Sequence, residues 1–321
     1  MNIHPGFVGI DVSKHFLDVF DNGRVERIAN TTEAIVALVA RWHESFVLFE
    51  ATGRYDARLR KALEAEGVSF TRVNPARARD FARATGRLAK TDAIDARMLA
   101  AMAQSLSFAR ERESDSEREA LARAHKRRDQ LVHMRKQERT RFSECDDLEL
   151  RADIEAHMHW LDAQIVRWDA EIDRLLKCST ALAQRARQLR SIPGIGPVAA
   201  ATLLALMPEL GTLSAKTVAA LAGLAPFNVD SGKYRGARKI QGGRKRVRDA
   251  LYMAAVAASR CNARLKILYQ RLRSAGKPAK LALIAVARKL AITANAILRD
   301  KASSHRLIHY IADEEIATFR I

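Results

Sequence analysis

The chain has 321 residues, of which 48% are hydrophobic and 29% charged, so it is too long for one ordinary domain and apolar enough to exclude a disordered polymer. Lysine and arginine number 55 against 37 acids, a formal net charge of +18, which makes nucleic acid the first partner to consider and an anionic membrane the second. The longest uninterrupted apolar run, 197–207, is too short for a membrane span, residues 1–11 lack the pattern of a signal peptide, and three cysteines stand apart without a Cys-x-x-Cys pair. The expectation is a soluble, cytoplasmic protein of two or three domains, with no membrane partner and no structural zinc.

Residues 7–110 alternate strand and helix patterns. Phe7-Val-Gly-Ile-Asp-Val12 is a short apolar run that carries an aspartate. His15 to Phe20 and Arg24 to Ile28 read as two strands joined by an Asp21-Asn22-Gly23 turn. Thr31-Thr32 caps a helix through Trp42, and Phe46 to Phe49 is a buried-strand run with Glu50 directly after it. A helix over Tyr55–Glu66, a strand over Val68–Val73, a helix over Ala76–Thr85 and another over Thr91–Gln104 complete the segment. Three meandering strands followed by alternating helices and strands predict an α/β domain over 1–110.

Residues 111–180 change character. Ile154, Met158, Leu161, Ile165, Trp168, Ile172 and Leu175 form a strict heptad seam, and an earlier helix over Ser116–Phe142 carries a weaker stripe. Basic and acidic residues balance over 111–190, at 17 each. An antiparallel hairpin or coiled coil is expected, serving as an oligomer contact. His157 and His159 are expected at the surface, whereas Trp42, Trp160 and Trp168 read as packing residues.

Residues 181–321 form a third, all-α region that holds the charge asymmetry. Residues 191–321 carry 22 bases and 7 acids, and Lys233 to Lys289 holds 17 bases against Asp249 alone. A one-signed block with apolar stretches reads as a folded surface for a polyanion. Pro193-Gly-Ile-Gly-Pro197 between helices resembles a helix-hairpin-helix, in which Gly194 and Gly196 would free backbone N–H groups for a phosphate. Pro226 to Gly243 is a loop rich in glycine and base, and Lys233, Arg235, Arg238, Lys239, Arg244, Lys245, Arg246 and Arg248 are its nucleic-acid candidates. No histidine lies within 160–304, so a Ser-His-Asp hydrolase built inside this region is not expected, and on residue type Ser231 is a turn residue.

Four acids on separate elements need a reason in so basic a chain. Asp92 and Asp95 lie one helical turn apart, and Asp11 and Glu50 end two strands. If those strands are neighbours, four carboxylates crowd together unless cations lie between them, and oxygen donors suit Mg²⁺ or Mn²⁺ in phosphoryl transfer. Singly, each has a bland explanation as a cap or a dipole partner.

Phe7-Val-Gly-Ile-Asp-Val-Ser-Lys14, Phe49-Glu-Ala-Thr-Gly-Arg-Tyr55 and Lys90-Thr-Asp-Ala-Ile-Asp-Ala-Arg97 resemble the signatures of the insertion-sequence one-ten family of DEDD transposases, which includes the Piv/MooV-type DNA invertases. Gly223-Leu-Ala-Pro226, Asp230-Ser-Gly232, Gly242-Gly-Arg244, Val247-Arg248 and Leu251-Tyr-Met-Ala-Ala255 resemble the C-terminal domain of the same family. One departure is Cys261-Asn262-Ala263, where the family has a proline after the asparagine, and it bears on a local helix end. The resemblance implies a RuvC-like, RNase H-fold N-terminal domain in which Asp11, Glu50, Asp92 and Asp95 are catalytic metal ligands. It also implies that Ser231 is the nucleophile joined covalently to DNA. The partners it implies are double-stranded target and donor DNA, a structured guide (bridge) RNA, and further copies of the chain in a dimer or tetramer. The leading expectation is therefore an RNA-guided DNA recombinase or transposase with Mg²⁺ (or Mn²⁺). The alternative is a metal-dependent junction nuclease that uses water.

Overall fold

The computed structural model describes residues 6–86, 92–111, 115–227, 230–231, 234–235 and 239–300; the side chains of 92–93, 230–231 and 234–235 lie outside that description. The chain folds into two compact units, Met1–Ser114 and Asp115–Ile321.

The first unit is a mixed α/β sheet. Its elements are β1 (Phe7–Val12), β2 (Phe16–Asp21), β3 (Arg24–Ala29), α1 (Thr32–Val39), β4 (Phe46–Glu50), α2 (Ala57–Ala65), β5 (Ser69–Val73), α3 (Pro75–Ala84) and α4 (Asp92–Ser105). The five strands lie in the order β3-β2-β1-β4-β5. β1, β2 and β3 are antiparallel neighbours, whereas β4 runs parallel to β1 and β5 parallel to β4. Asn22 and Gly23 both take positive φ between β2 and β3, as a two-residue hairpin turn demands. Thr31 caps α1 by accepting from Ala34 N–H, but the helix ends at Val39 rather than Trp42. Trp42 turns inward instead and donates from Nε1 to Asp21 Oδ2 at 2.9 Å.

Strand alternation sorts the sheet into two faces. Val8, Ile10, Val12, Leu17, Val19, Val47 and Phe49 share one buried cluster with α1 and α2 residues. Leu48 and Val73 share another with Met98, Leu99 and Met102 of α4. Phe20 packs on Ala96 and Ala100 of α4, so α4 covers the face opposite α1 and α2. Its alanines let its backbone lie against the sheet.

The second unit is mostly helical: α5 (Ser116–Glu144), α6 (Leu148–Cys178), α7 (Thr180–Arg190), α8 (Pro197–Leu206), α9 (Ala215–Leu221), α10 (Lys245–Cys261), α11 (Ala263–Ser274) and α12 (Ala279–Asp300). Between α9 and α10 the described residues form four two-residue strands, β6 (Pro226–Phe227), β7 (Asp230–Ser231), β8 (Tyr234–Arg235) and β9 (Lys239–Ile240). The expected loop thus holds two small antiparallel ribbons, β6–β9 and β7–β8, whose ladders pair backbone groups that a plain loop leaves to water.

α5 and α6 form the expected antiparallel helical hairpin. Arg128 pairs with Asp169 at 2.5 Å and Arg135 with Asp162, while His157 Nδ1 lies 3.2 Å from Glu138 Oε1. Leu161 and Ile172 are buried and Ile154, Met158, Ile165, Trp168 and Leu175 half-buried, so the heptad seam packs largely within the hairpin. Trp160 departs from its expected packing role: it is half-exposed, its ring tilted against that of His157 with 6.0 Å between centroids, and His157 is partly exposed while also meeting Glu138 across the hairpin. The root of the hairpin belongs to the core of the second unit, where Leu121 and Ala124 pack with residues of α8, α10 and α12.

α12 is a longer, mostly apolar helix than the run expected at 197–207, although Arg288 and Lys289 interrupt it. By length and composition α12 could cross a membrane, with mean hydropathy 1.7 over its most apolar stretch. Of that stretch 61% is buried inside the unit, where its apolar side chains fill the core. Asn262 resolves the helix end that lacks the family's proline. It closes α10, caps α11 by accepting from Leu265 N–H, and donates to Pro193 O at 3.3 Å.

Candidate functional site

Topology assigns three of the four expected acids to one face of the first unit. β1 pairs β4 in parallel register through Ile10↔Phe49, and one further step along that register sets Asp11 beside Glu50. Alternation puts Asp11 on the face of Gly9 and Glu50 on the face of Leu48. That is the α4 face: a Cβ built on Gly9 would lie 2.0 Å from Ala96 O, and Leu48 packs with Met98 and Leu99. Asp95 directly precedes Ala96 on α4, and Asp92 stands one turn earlier at the helix start. Asp11, Glu50 and Asp95 are half-buried; the Asp92 side chain lies outside the described residues. Among the described residues, no three His, Cys, Asp or Glu side chains gather closely enough to hold an ion by themselves. Carboxylate oxygens are hard donors of the kind a divalent metal takes, but Asp11, Glu50 and Asp95 share a face without being gathered into such a set.

Two groups that sequence reasoning missed brace this face. Asp18 lies directly across from Asp11 in the β1–β2 ladder, nearly buried, and Arg27 binds both its oxygens at 3.0 Å. Arg27 therefore balances a fifth acid beside the set. Asn30, 5% exposed, donates through Nδ2 to Ser13 O at 2.8 Å and Tyr55 O at 3.1 Å. It thereby ties the chain just beyond Asp11 to the chain just beyond Glu50. Only strand pairing would have found Asp18, and only the folded loops would have found Asn30. Nearby, burial pushes the Asp56 carboxyl above its ordinary value, against the opposing pull of Arg72 and the Thr52 N–H.

In the second unit, Ser231 lies on β7 opposite Tyr234 of β8. Its side chain and that of Arg235 are outside the described residues, as are Lys233 and Arg238 entirely. Lys90 and Thr91 of the third motif are outside them too. The base of the ribbon segment is held by groups expected to touch nucleic acid. Arg244 binds Glu209 through both nitrogens, at 2.7 and 2.6 Å, and donates to Leu206 O. Arg248 donates to Gly242 O at 2.7 Å, and a Cβ on Gly243 would meet Gly223 N at 2.2 Å. Lys245 pairs with Asp249, Arg246 with Asp129, and Lys239 is exposed. Gly194, at φ +107, is pressed on α10, where a Cβ would lie 2.5 Å from Ala258 Cβ; Gly196 faces open space at the start of α8. His125 of α5, which sequence reasoning did not single out, is buried beside Thr202 of α8.

Comparison with known proteins accounts for both halves. Residues 8–145 match a model described as a transposase, of the DEDD type of IS110, and residues 186–270 match the transposase IS116/IS110/IS902 family. The pilin gene-inverting proteins of Moraxella lacunata and Moraxella bovis are each 30% identical over 326 residues, covering 94% of this chain and 98% of theirs. A 44.8 kDa protein of insertion element IS116 from Streptomyces clavuligerus is 32% identical over 154 residues, 47% of this chain and 38% of its own. The chain belongs to the IS110 family of transposases, and it is an enzyme acting on DNA. The DEDD domain it matches suggests dependence on a divalent metal.

Proposed function

We propose that this transposase cuts and rejoins DNA through a covalent phosphoserine, with Asp11, Glu50, Asp92 and Asp95 holding Mg²⁺ or Mn²⁺ in a RuvC-like, RNase H-fold unit and Ser231 as the nucleophile. The observation that carries the reading is the β1–β4 register, which brings Asp11 beside Glu50 on the side of the sheet covered by α4. The sheet of three antiparallel and two parallel strands is consistent with the RNase H-like expectation. A bound divalent ion would supply Lewis-acid polarisation of the scissile phosphate.

The remaining chemistry is the chain's own. Ser231 Oγ bonds to phosphorus and gives up its proton. One phosphoester bond breaks, and the departing deoxyribose oxygen takes a proton and leaves as a hydroxyl. Attack of a second deoxyribose hydroxyl on the phosphoserine reverses the step and rejoins DNA without an external energy source. Arg244 and Arg248 fix the base of the ribbon segment, while Lys233, Arg235, Arg238, Lys239, Lys245 and Arg246 would bind backbone phosphates of target and donor DNA. A structured guide RNA would share the basic surface, and copies of the chain would join in the cytoplasm through residues that the α5–α6 hairpin leaves exposed, such as Trp160 and Val166.

The test is denaturing gel mobility of labelled target DNA after incubation with the full chain, guide RNA and Mg²⁺, with Ser231→Ala and Asp11→Ala alongside. A protease-sensitive protein–DNA adduct in the wild type alone is expected. Cleavage without an adduct, unchanged in Ser231→Ala, would mean a water-using nuclease and overturn the role of Ser231. Cleavage and adduct that persist without RNA would remove the guide.

A further inference from the structure

Four charged side chains stand in one row across the sheet of the first unit. β2 and β3 pair through Asp18↔Arg27, and β1 and β2 through Asp11↔Asp18. One step beyond Ile10↔Phe49, the parallel register puts Glu50 beside Asp11. Residues directly opposite in a ladder point to the same face, so Arg27, Asp18, Asp11 and Glu50 share the α4 side in that order. Phe20, two residues along β2 from Asp18, marks that side by packing on Ala96 and Ala100.

Asp18 is the buried member of the row: its side chain is 7% exposed, against 53% for Arg27. A carboxylate is costly to bury unless it is paired. Arg27 meets it with two hydrogen bonds, Nε donating to Oδ1 and Nη2 to Oδ2, each at 3.0 Å. That two-pronged geometry is the strongest available between these groups. Stability alone gives no reason for such a pair, because apolar side chains of similar volume would hold two strands as well. What the pair adds is balanced charge beside Asp11. Without Asp18, the Arg27 guanidinium would have Asp11 as the next acid along the row, where it would compete with a metal. Without Arg27, Asp18 would add an uncompensated charge to acids that share this face.

We propose that Asp18 and Arg27 are positioning residues for a divalent cation at Asp11 and Glu50. Asp18 engages the Arg27 charge and so keeps it from competing for the neighbouring carboxylates, and Arg27 offsets the acid that engages it. Both act through Asp11. The inference rests on the metal reading of Asp11 and Glu50 in the proposed function. At the spacing of cross-strand neighbours, an ion on Asp11 would lie ~7 Å from the Asp18 carboxylate, where one unit charge changes the affinity for a dication by about tenfold even with water-like screening. Asp18→Asn and Arg27→Gln keep the shape of the pair while each removes one charge, so they move the affinity in opposite directions.

The experiment measures Mn²⁺ binding to the full chain without DNA, following the paramagnetic resonance of the free ion. Arg27→Gln should tighten binding by about tenfold and Asp18→Asn should weaken it by about as much. The double variant should return to within about twofold of wild type, since the two charges leave together. Arg41→Gln is the control: its partner Glu26 lies opposite Val19, on the face covered by α1 and α2, and the affinity should stay at the wild-type value. A merely structural pair would lower the melting temperature in both single variants without opposite shifts in affinity. Either variant that folds carries a sign of its own, so loss of one leaves the other to decide. Shifts in the same direction, or none, in variants of a protein that loses Mn²⁺ with Asp11→Ala overturn this inference alone. Mn²⁺ binding that Asp11→Ala leaves intact sinks the metal reading of Asp11, and this inference with it.

Discussion

Gly9→Ala tests the placement of the acids without touching any of them. A Cβ at this position would stand 2.0 Å from Ala96 O and 2.4 Å from Ala100 N. Both are backbone atoms of α4, so no rotamer change relieves the overlap, and ordinary contact returns only if the helix retreats by about 1 Å or more. Overpacking of this kind costs about 1–3 kcal/mol. For a unit of this size each kcal/mol lowers the melting temperature by about 4–8 °C. The same retreat carries Asp95 away from Asp11, and a displacement near 1 Å in a catalytic constellation lowers the rate by about a hundredfold. The measurements are calorimetric melting of the full chain, and metal-dependent cleavage of labelled target DNA below the melting transition. An unchanged melting temperature would refute the close packing of α4 on β1. A lowered melting temperature with wild-type cleavage would refute the assignment of the α4 face as the catalytic one.

Gly243→Ala should open the base of the ribbon segment: its φ of +67 disfavours a side chain by about 1–2 kcal/mol, and the Cβ would meet Gly223 N at 2.2 Å. Hydrogen exchange at Arg244 N–H, which bonds Leu221 O at 2.7 Å, should accelerate, and protection equal to wild type would count against it. Arg27→Ala leaves a nearly buried Asp18 without its two hydrogen bonds, a loss of about 1–3 kcal/mol that Asp18→Asn in the same chain should partly recover; urea denaturation measures both, and no recovery would point to an Arg27 role independent of Asp18. Burial holds His125 below its ordinary pKa. The unfolded chain therefore takes up a proton that the folded chain refuses as pH falls through the ordinary histidine value, and stability is lost in that direction. His125→Gln should flatten the decline in urea midpoint between about pH 7.5 and about pH 5.5, and an unaltered decline would assign it to another group.

Much of this protein was legible along the chain because its cause is local. The 3.6-residue and two-residue periods, Asn22-Gly23, Thr31 and the heptad seam of α6 act within a few residues of themselves, and each marks the element it forms. Composition alone separated the charge-balanced hairpin from the basic C-terminal region. The four acids could be chosen by residue type and by the motifs around them.

What stayed hidden depends on distance. Asp18 faces Asp11 only because β2 folds back on β1, and Asn30 joins two strand ends that are far apart in sequence. Arg244 and Arg248 read along the chain only as nucleic-acid candidates, and nothing there showed that they bond to Glu209 and to the Gly242 carbonyl. The apolarity of α12 acquires its meaning from the helices packed around it. No histidine lies within 160–304 of the sequence, yet α5 returns to α8 and buries His125 against Thr202. Periodicity and turn chemistry are properties of neighbours in the chain, so the sequence alone determined most of the helices and the five sheet strands and the candidate acids, but not the ribbons between α9 and α10. Strand register, the burial of a charge and the partner of an arginine are properties of neighbours in space, and these only the tertiary structure decided.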